Sequence, residues 1–491
     1  MSKFLPKYIG LAAAATLSLT AFSQESLIFG MRGNPGTLRM NPGAETRMAL
    51  YLGLPTVNNN VQFTRPLSQY LGDVNANFSG FTTPSEQITM QLDQDLVSAG
   101  LKFGKNILLF GSIRNQIDAK IALDNDFARF ALNGMRDAQG NIDPNYQGDF
   151  SDMAVLLSDR LTASAGLQIK LNKKLRIGAA FNHTRVVSDA ALKFNTLQFN
   201  SSVLSNGLNE LSIAAAGGFS YYGILDQTMG QTPEEIEAYL GGLSTDQYVD
   251  LAKLMPSYNS FDFGGTFRPI KRFRLTGSVL GLGAGTASTR GFQMGVNNSL
   301  KSSGFQWNTA DTGVDPLDSF IQEIQDSLQF DYNLTAPSSF QFKPYQAIHA
   351  AAYLDLAKWH SIGIRYSQVA RPSIQYTALA AEYHANLLKG WQISGAYTKF
   401  LSGSQPMSDQ YSLAVQMRIL PPLQVFLSSS AFTMLPSYDA ANGQPLIPSQ
   451  LDRLNLNIGL NLVFFERKPK SAKKSKNKDS KAVAPAAPAK K

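Results

Sequence analysis

The sequence contains few of the side chains that enzymes use for covalent or metal chemistry. It has no cysteine, which excludes a thiol nucleophile, an iron–sulfur site and the cysteine-based zinc motifs. The four histidines, His183, His349, His360 and His384, lie far apart in the chain and form no local metal-binding motif. A Gly-x-Ser-x-Gly nucleophile elbow does not occur. The sequence therefore predicts a protein that is not an enzyme and that uses no metal or other cofactor.

Two segments have a superficial likeness to a catalytic or a nucleotide-binding motif. His183 lies beside Arg185 near the end of a predicted strand, where an acid from a loop would complete a hydrolase pair. A histidine at the membrane interface is the simpler interpretation. Gly281, Gly283 and Gly285 alternate as in a nucleotide-binding loop, but no helix follows them directly. Small residues at a bend or at a close backbone approach explain this spacing better.

The first 23 residues have the pattern of an export signal. Two lysines precede an apolar run from Ile9 to Leu19, and a small-x-small site ends at Ser23. We expect cleavage before Gln24. No stretch has the 18 or more consecutive apolar residues of a membrane-spanning helix, which argues against an inner-membrane helical bundle.

The net charge of +8 is concentrated in the C-terminal tail. Residues 467–491 hold ten basic residues and one acidic residue, whereas the body between the signal and the tail is mildly acidic. The Lys/Ala/Pro/Ser composition of the tail predicts disorder. Export argues against nucleic acid as its partner. An anionic lipid, a cell-wall polymer or an acidic periplasmic protein fits better, and a plain solvated tail is the alternative.

A period of two residues runs through the body of the chain. Residues 161–171 read Leu-Thr-Ala-Ser-Ala-Gly-Leu-Gln-Ile-Lys-Leu, with every odd position apolar. A strand places these apolar side chains on one face, whereas a helix would scatter them. The same alternation covers 175–182, 411–419 and 454–462. Weaker versions cover roughly 96–103, 107–115, 259–268, 273–283, 344–356, 360–369, 374–386, 391–400 and 423–432.

Segment length distinguishes a membrane barrel from a soluble β protein. Most segments approach the 9–11 residues of a tilted membrane strand rather than the five or six of a soluble strand. Short and long connections also alternate, as they do in outer-membrane barrels. The short connections are 103–106, 172–174, 269–272, 357–359, 388–390 and 420–422, and the long ones are roughly 116–160, 225–258, 284–343 and 433–451. The predicted fold is all-β: a transmembrane antiparallel barrel that occupies 48–466.

The connections also predict the strand count and the orientation. Thirteen strands follow from residue 96 onward, and one more must precede them within 48–81, which makes 14. The count becomes 16 if 189–224 adds a hairpin. Short turns face the periplasm in such barrels, so both chain ends, including the tail, are expected there. Helical insertions in the outer loops are predicted at 233–255 and 315–328, where a proline follows a capping residue.

Aromatic residues recur near strand ends, as the interfacial girdles of a membrane barrel require. Ordinary filling of strands by aromatics is the alternative interpretation. The residues concerned are Tyr353, Trp359, Tyr366, Tyr376, Tyr383, Trp391 and Tyr397.

The last strand is predicted to act as the assembly signal of the barrel. Its alternate apolar residues face lipid, and its pairing with the first strand closes the sheet and removes both edges. These residues are Leu456, Ile458, Leu460, Leu462 and Phe464.

Short motifs in the N-terminal third carry a resemblance to a known class. They are Arg-Met-Asn-Pro-Gly at 39–43, Leu-Gly-Leu-Pro at 52–55, the stretch 94–104, and the segments 126–130 and 133–134. Together they resemble outer-membrane barrels of the FadL-like fatty-acid-transporter class, and more closely an uncharacterised Bacteroidetes-type family within it.

The resemblance implies a hatch at 24–47, because in that class an Asn-Pro-Ala motif belongs to a short segment that plugs the barrel. The hatch residues would be Asn41, Pro42 and Gly43, with Gly43 in place of the usual alanine. The basic tail is not part of the pattern.

Two functional hypotheses follow for a barrel in the outer membrane, where lipid is the first partner. One is a channel or transporter for small hydrophobic molecules, which the hatch motif favours. The other is a non-transporting accessory barrel of a secretion, assembly or envelope-anchoring complex, which the helical loops and the basic tail favour. This second hypothesis implies other envelope proteins as partners.

Overall fold

The computed structural model describes most of the chain between residues 25 and 465. The described residues are 25–46, 48–64, 85–124, 126–127, 130, 135, 143–223, 255–283, 285–289, 292–305, 331–334, 338–342, 344–357, 359–388, 391–404, 407, 409–430 and 453–465. The predicted export signal and basic tail lie outside them, as do the predicted outer-loop helices apart from residue 255.

Two short helices precede twenty strands in the described residues. The helices are α1 (Glu25–Gly30) and α2 (Gly36–Met40). The strands are β1 (Met48–Phe63), β2 (Ser85–Phe103), β3 (Ile107–Asp124), β4 (Gln147–Asp149), β5 (Ala154–Lys170), β6 (Leu175–Val203), β7 (Asn209–Gly223), β8 (Ser257–Ile270), β9 (Phe273–Leu282), β10 (Thr286–Thr289), β11 (Phe292–Phe305), β12 (Asp331–Leu334), β13 (Ser338–Gln341), β14 (Gln346–Asp355), β15 (His360–Ala370), β16 (Gln375–Leu388), β17 (Trp391–Gly403), β18 (Gln410–Arg418), β19 (Leu423–Ser429) and β20 (Arg453–Phe465).

Fourteen of these strands form a closed antiparallel ring. The order around the ring is β1, β2, β3, β5, β6, β8, β9, β14, β15, β16, β17, β18, β19 and β20. Pairing of β20 with β1 closes it, with Leu462 opposite Leu52. Closure satisfies the backbone hydrogen bonds of every strand without leaving an edge. The predicted 14-stranded barrel is confirmed.

The predicted segment 189–224, of which residues 189–223 are described, contributes a hairpin that does not enter the ring. The first part of β6 pairs with β8 as far as Arg185, and from Ser188 onward β6 pairs with β7 instead. β7 then pairs with β11, β11 with β12, and β4 with the end of β6. We call these paired segments beyond the ring the outer sheet. The alternative of 16 ring strands is therefore wrong, because β6 changes partner above the barrel wall.

Two of the predicted long connections contain strands. β3 continues to Asp124 and β5 begins at Ala154, so strand covers both ends of the predicted loop 116–160. The predicted loop 284–343 also contains the short strands β10, β12 and β13 together with β11. In β3 the apolar alternation continues beyond residue 115, at Ile117, Ala119, Ile121 and Leu123, so the predicted end of this strand is wrong.

The two faces of the wall differ in polarity. On β8, for example, the outward residues Phe261, Phe263 and Phe267 are exposed, whereas the inward residues Ser260 and Asp262 are buried. Exposed leucine, isoleucine and phenylalanine side chains recur around the outside of the ring. An apolar exterior around a polar lumen is the arrangement of a membrane-spanning barrel. Within the described residues, neither helix is long and apolar enough to cross a membrane.

Aromatic residues occupy both faces of the wall. Trp359, Tyr383, Trp391 and Tyr397 are exposed on the outside, as interfacial residues require. Tyr353 is completely buried in the lumen and is not a girdle residue. Tyr353 lies on the same inward face of β14 as His349 and Ala351, whereas the next residue, Leu354, faces outward and is exposed.

Candidate functional site

Residues 25–46, here called the hatch segment, fill part of the lumen. Asn34 shapes the bend between its two helices, because its Oδ1 accepts the Gly36 amide at 2.8 Å and its carbonyl accepts the Thr37 hydroxyl at 2.7 Å. Gly33 has a φ of +85°, which disfavours other residues there. Apolar hatch residues then pack on the inner wall: Leu27 and Met31 on Ala396 and Ala414, and Ile28, Phe29 and Met40 on Ala351, Tyr353 and Phe426.

Asn41 fixes the middle of the hatch segment to two strands. Its Nδ2 donates to Thr276 Oγ1 at 2.6 Å and to the Gly265 carbonyl at 3.3 Å, and its Oδ1 accepts the Gly43 amide at 2.9 Å. On β5, which β6 separates from β8, Gln168 Nε2 donates to the carbonyls of Pro42 and Ala44 at 2.9 and 2.7 Å. The structure thus brings the three predicted motif residues together against β5, β8 and β9.

Glycines allow the motif to lie directly on the wall. A Cβ atom at Gly178 would overlap the Pro42 carbonyl, and one at Gly264 would overlap the Asn41 side chain. A Cβ atom at Gly43 would overlap the Gly264 backbone. Glycine in place of the usual alanine at position 43 therefore has a steric reason.

An ion-pair cluster holds the end of the hatch segment at the short-turn end of the barrel. Arg268 contacts Glu45 and Asp355, and Asp355 also accepts a hydrogen bond from Arg32 at 2.5 Å. Arg176 donates to the Thr46 carbonyl at 2.9 Å. Burial opposes ionisation of Glu45, but the surrounding guanidinium groups, Arg268 foremost, outweigh it and lower the pKa of Glu45.

A second polar network, here called the lumen network, lies beneath α1. Glu382 accepts hydrogen bonds from Arg365 Nε at 2.6 Å and Tyr353 OH at 2.7 Å, and its other contact is His384 Nε2 at 3.1 Å. The Arg274 guanidinium lies 4.2 Å from the centre of the Tyr353 ring. All these side chains are buried. The network stabilises charge inside the lumen and leaves Gly30 no room for a side chain.

An apolar depression, here called the wall pocket, lies in the barrel wall beside the hatch motif. It has a volume of about 710 Å³. The bottom of the pocket is formed by small outward-facing residues, including Gly265 and Gly277, and its rim by larger apolar side chains. The backbone pairing of β6, β8 and β9 is continuous there, so one layer of strands separates the pocket from Asn41 and Pro42. The apolar rim residues are Leu167, Ile169, Ile177, Phe263, Val279 and Ile348.

The predicted assembly-signal residues of β20 share one face. Ile458 and Phe464 are exposed, and Leu456, Leu460 and Leu462 lie partly exposed on the same side. The alternate residues Asn457 and Asn461 are buried toward the lumen.

The histidines separate into two environments. His349 and His384 are buried on the lumen side, whereas His183 and His360 make exposed hydrogen bonds to Asn259 and Tyr383. Among the described residues no group of three or more His, Asp or Glu side chains has a metal-binding arrangement.

Analysis of the sequence did not identify the lumen network. The available signal was the presence of charged residues inside predicted spanning segments, such as Arg274, Arg365 and Glu382. Burying a charge within a membrane costs free energy, so such residues usually face the interior and pair with one another.

The profile of DUF5723, a family of unknown function, matches residues 42–429. No curated protein matches the chain. Similar solved structures include the toluene transporter TbuX of Ralstonia pickettii, at 8% identity and a TM-score of 0.42, covering 91% of this chain and 100% of that one. The Pseudomonas putida toluene transporter TodX has 8% identity, a TM-score of 0.38 and coverages of 87% and 92%. A FadL homologue of Pseudomonas aeruginosa has 10% identity, a TM-score of 0.36 and coverages of 88% and 94%.

Proposed function

The chain belongs to DUF5723, a family of unknown function, and we propose that it is an outer-membrane channel for small hydrophobic molecules. In this proposal the hatch segment, which fills part of the lumen, is the element that closes the channel. The outer membrane is the proposed location because a predicted export signal precedes a closed barrel with an apolar exterior.

The wall pocket is the observation that carries the proposal. Its volume of about 710 Å³ lies within the range of sites that bind small organic molecules. Its lining is apolar and it faces the lipid, where hydrophobic molecules concentrate. The pocket also adjoins the place where the hatch motif contacts Gly178 and Gly264 most closely. A molecule in the pocket would therefore need only a local displacement of the wall and the hatch motif to enter the lumen.

The polarity of the lumen supports a route beside the hatch motif rather than along the barrel axis. Inward residues such as Asn58, Gln116 and Asn457 are polar and buried, so a continuous apolar path is not open along the centre. Hydrogen bonds, ion pairs and non-covalent packing hold the hatch segment in place. Such contacts allow reversible displacement.

Filling the wall pocket tests this function. Gly265→Leu places a side chain on the pocket floor, where a Cβ atom has its nearest neighbour at 3.4 Å. We expect cells with the native barrel to take up small labelled hydrocarbons or fatty acids faster than cells without it, and Gly265→Leu to remove most of that gain. Gly395→Leu is the matched control, because Gly395 also faces outward but lies on β17 with its nearest contact at 3.7 Å. Equal uptake with and without the barrel would contradict the proposal.

A non-transporting accessory barrel is the second candidate. The outer sheet favours it, because β6, β7 and β11 extend well beyond what a closed ring requires and offer a platform for another envelope protein. On this hypothesis, a partner protein co-purifies with the barrel in mild detergent in a fixed ratio. Removal of the outer sheet should abolish this co-purification and leave uptake unchanged.

The basic tail is proposed to lie in the periplasm and to contact an anionic partner. The first and last strands support a periplasmic tail, since β1 begins and β20 ends at the short-turn end of the barrel. An introduced cysteine at Ser480 tests it: an impermeant reagent should fail to label it in intact cells. Binding through exposed charges should also weaken as salt rises. Labelling from outside would reverse the orientation.

A further inference from the structure

The connection between β15 and β16 is unusually short for the end of the barrel at which it lies. Apart from the six residues between β17 and β18, the other connections at that end are long, whereas Arg371 to Ile374 form a tight turn in which the Arg371 amide donates to the Ile374 carbonyl at 2.8 Å. Arg371, Ser373 and Ile374 are all buried. The turn therefore lies inside the lumen instead of extending beyond it.

The turn contacts the opposite wall of the barrel. In the ring order, β15 and β16 lie seven strands away from β2 and β3 in either direction. Arg371 nevertheless forms hydrogen bonds to Asp93 of β2 at 2.9 and 2.8 Å and to Asp118 of β3 at 3.0 and 3.3 Å. A guanidinium group that bridges two carboxylates thus joins walls that are otherwise as far apart as the ring allows.

Further polar contacts fix this cross-lumen bridge. Ser373 Oγ donates to Asp118 Oδ1 at 2.8 Å and accepts from Gln91 Nε2 at 3.2 Å. Gln116 and Asn58 donate to the two oxygens of Asp93 at 3.2 and 3.1 Å. Arg371 and both aspartates are almost fully shielded from solvent, with at most 5% of each side chain exposed. Because a buried charge without its partner is costly, the bridge stabilises the turn in its position inside the lumen.

We propose that the Arg371–Ile374 turn is an outer gate of the lumen, separate from the hatch segment. Asp93 and Asp118 lie in the half of the lumen nearer the long loops, whereas the ion pairs of Glu45, Arg268 and Asp355 lie at the short-turn end. The lumen then has one closure at each end. The gate does not depend on which molecule the channel carries, so it is tested without a transported ligand.

Thiol labelling tests the gate directly, because the chain has no cysteine. Ile374→Cys is the reporter: Ile374 lies in the turn itself, has 1% of its surface exposed and takes no part in the ion pairs of the bridge. Intact cells are treated with an impermeant maleimide too large for general porins. We expect slow labelling in the native background and labelling about tenfold faster or more with Arg371→Ala. Asp93→Asn/Asp118→Asn, which removes the opposite side of the bridge, should have the same effect.

Two controls separate gate opening from general loosening of the barrel. Ser278→Cys lies behind the hatch segment, where Ser278 Oγ donates to the Met40 carbonyl at 2.6 Å, and should stay protected in every background. Heat-modifiable migration should be unchanged, as expected for folded barrels. Three results would overturn the proposal: rapid labelling of Ile374→Cys with Arg371 present, continued protection of Ile374→Cys in both gate variants, or labelling of Ile374→Cys and Ser278→Cys together.

Discussion

Arg268 of β8 donates two hydrogen bonds to a single carboxylate oxygen of Glu45, from Nε at 2.9 Å and from Nη2 at 2.5 Å. The same guanidinium group reaches Asp355 at 3.2 Å, and Asp355 in turn binds Arg32. Two hatch residues, Arg32 and Glu45, thus form ion pairs with the wall residues Asp355 and Arg268, which also contact each other. The hatch segment is held at the short-turn end by electrostatics and along its length by close packing.

The first prediction concerns pH. Because the pKa of Glu45 is lowered in the folded state, its contribution to hatch docking is fully present above the ordinary value of 4.5 and is lost as the pH falls through the lowered value. Hydrogen exchange of residues 25–46 should therefore accelerate in acid. Glu45→Gln should exchange faster at neutral pH and show a weaker acid dependence. The same acid dependence in the variant would rule out Glu45 as the responsible group.

The second prediction separates the two faces of the wall. Gly178→Ala should displace the hatch motif at a cost of about 1–3 kcal/mol, because the new methyl group would overlap the Pro42 carbonyl and this backbone cannot easily move. Gly265→Ala faces outward, with its nearest contact at 3.4 Å, and should leave the hatch undisturbed. Limited proteolysis of the hatch segment measures both. Equal cleavage rates in the two variants would disprove the close approach.

The third prediction concerns the lumen network. Glu382→Met leaves the buried Arg365 without its carboxylate and should destabilise the barrel by about 3–5 kcal/mol in denaturant unfolding from lipid vesicles. Arg365→Met/Glu382→Met removes both charges and should lose less than the single variant. If the double variant instead loses the sum of the two single losses, the residues do not act as a pair.

The fourth prediction concerns the closing strand. Leu460→Arg places a charge on the lipid face near the middle of β20 and should cost about 2–4 kcal/mol. Asn461→Ser, a polar change on the inward face, should leave assembly and heat-modifiable migration nearly unchanged. Similar damage from both substitutions would contradict the assignment of the two faces.

The period-two pattern was sufficient to predict the ring because it reports which residues face lipid. It predicted 13 of the 14 strands and the short turns between them, since lipid contact requires an apolar side chain at every second position. The remaining strand, within 48–81, followed from the requirement that neighbouring strands alternate in direction. It did not distinguish the faces for aromatic residues: Tyr353, expected at the interface, is buried against Arg274 because tyrosine suits either side of a wall. The sequence also did not predict that β6 changes from pairing with β8 to pairing with β7 after Arg185, since apolar and polar residues alternate similarly on both sides of that residue.

The polar clusters could not be predicted from local pattern because they depend on closure of the ring. Arg371 and Asp93 are 278 positions apart, and they meet only when the wall curves through half of the barrel. Arg365 and Glu382 lie on neighbouring strands, but which residues face each other depends on the register of a turn that the apolar pattern does not determine. The hatch motif was recognised from its resemblance, whereas its glycine contacts required the coordinates.

A reversible lock on the hatch segment is the most direct test of whether transport requires its displacement. Asn41 Nδ2 lies 2.6 Å from Thr276 Oγ1, so Asn41→Cys/Thr276→Cys can be bridged by oxidation or by a short thiol-specific linker in a chain with no other cysteine. The measurement is uptake of a labelled hydrophobic molecule by cells carrying this variant, before bridging, after bridging and after cleavage, with each single-cysteine variant as a control. The account predicts that bridging stops uptake and that cleavage restores it. Uptake that continues with the hatch segment bridged to the wall would contradict it.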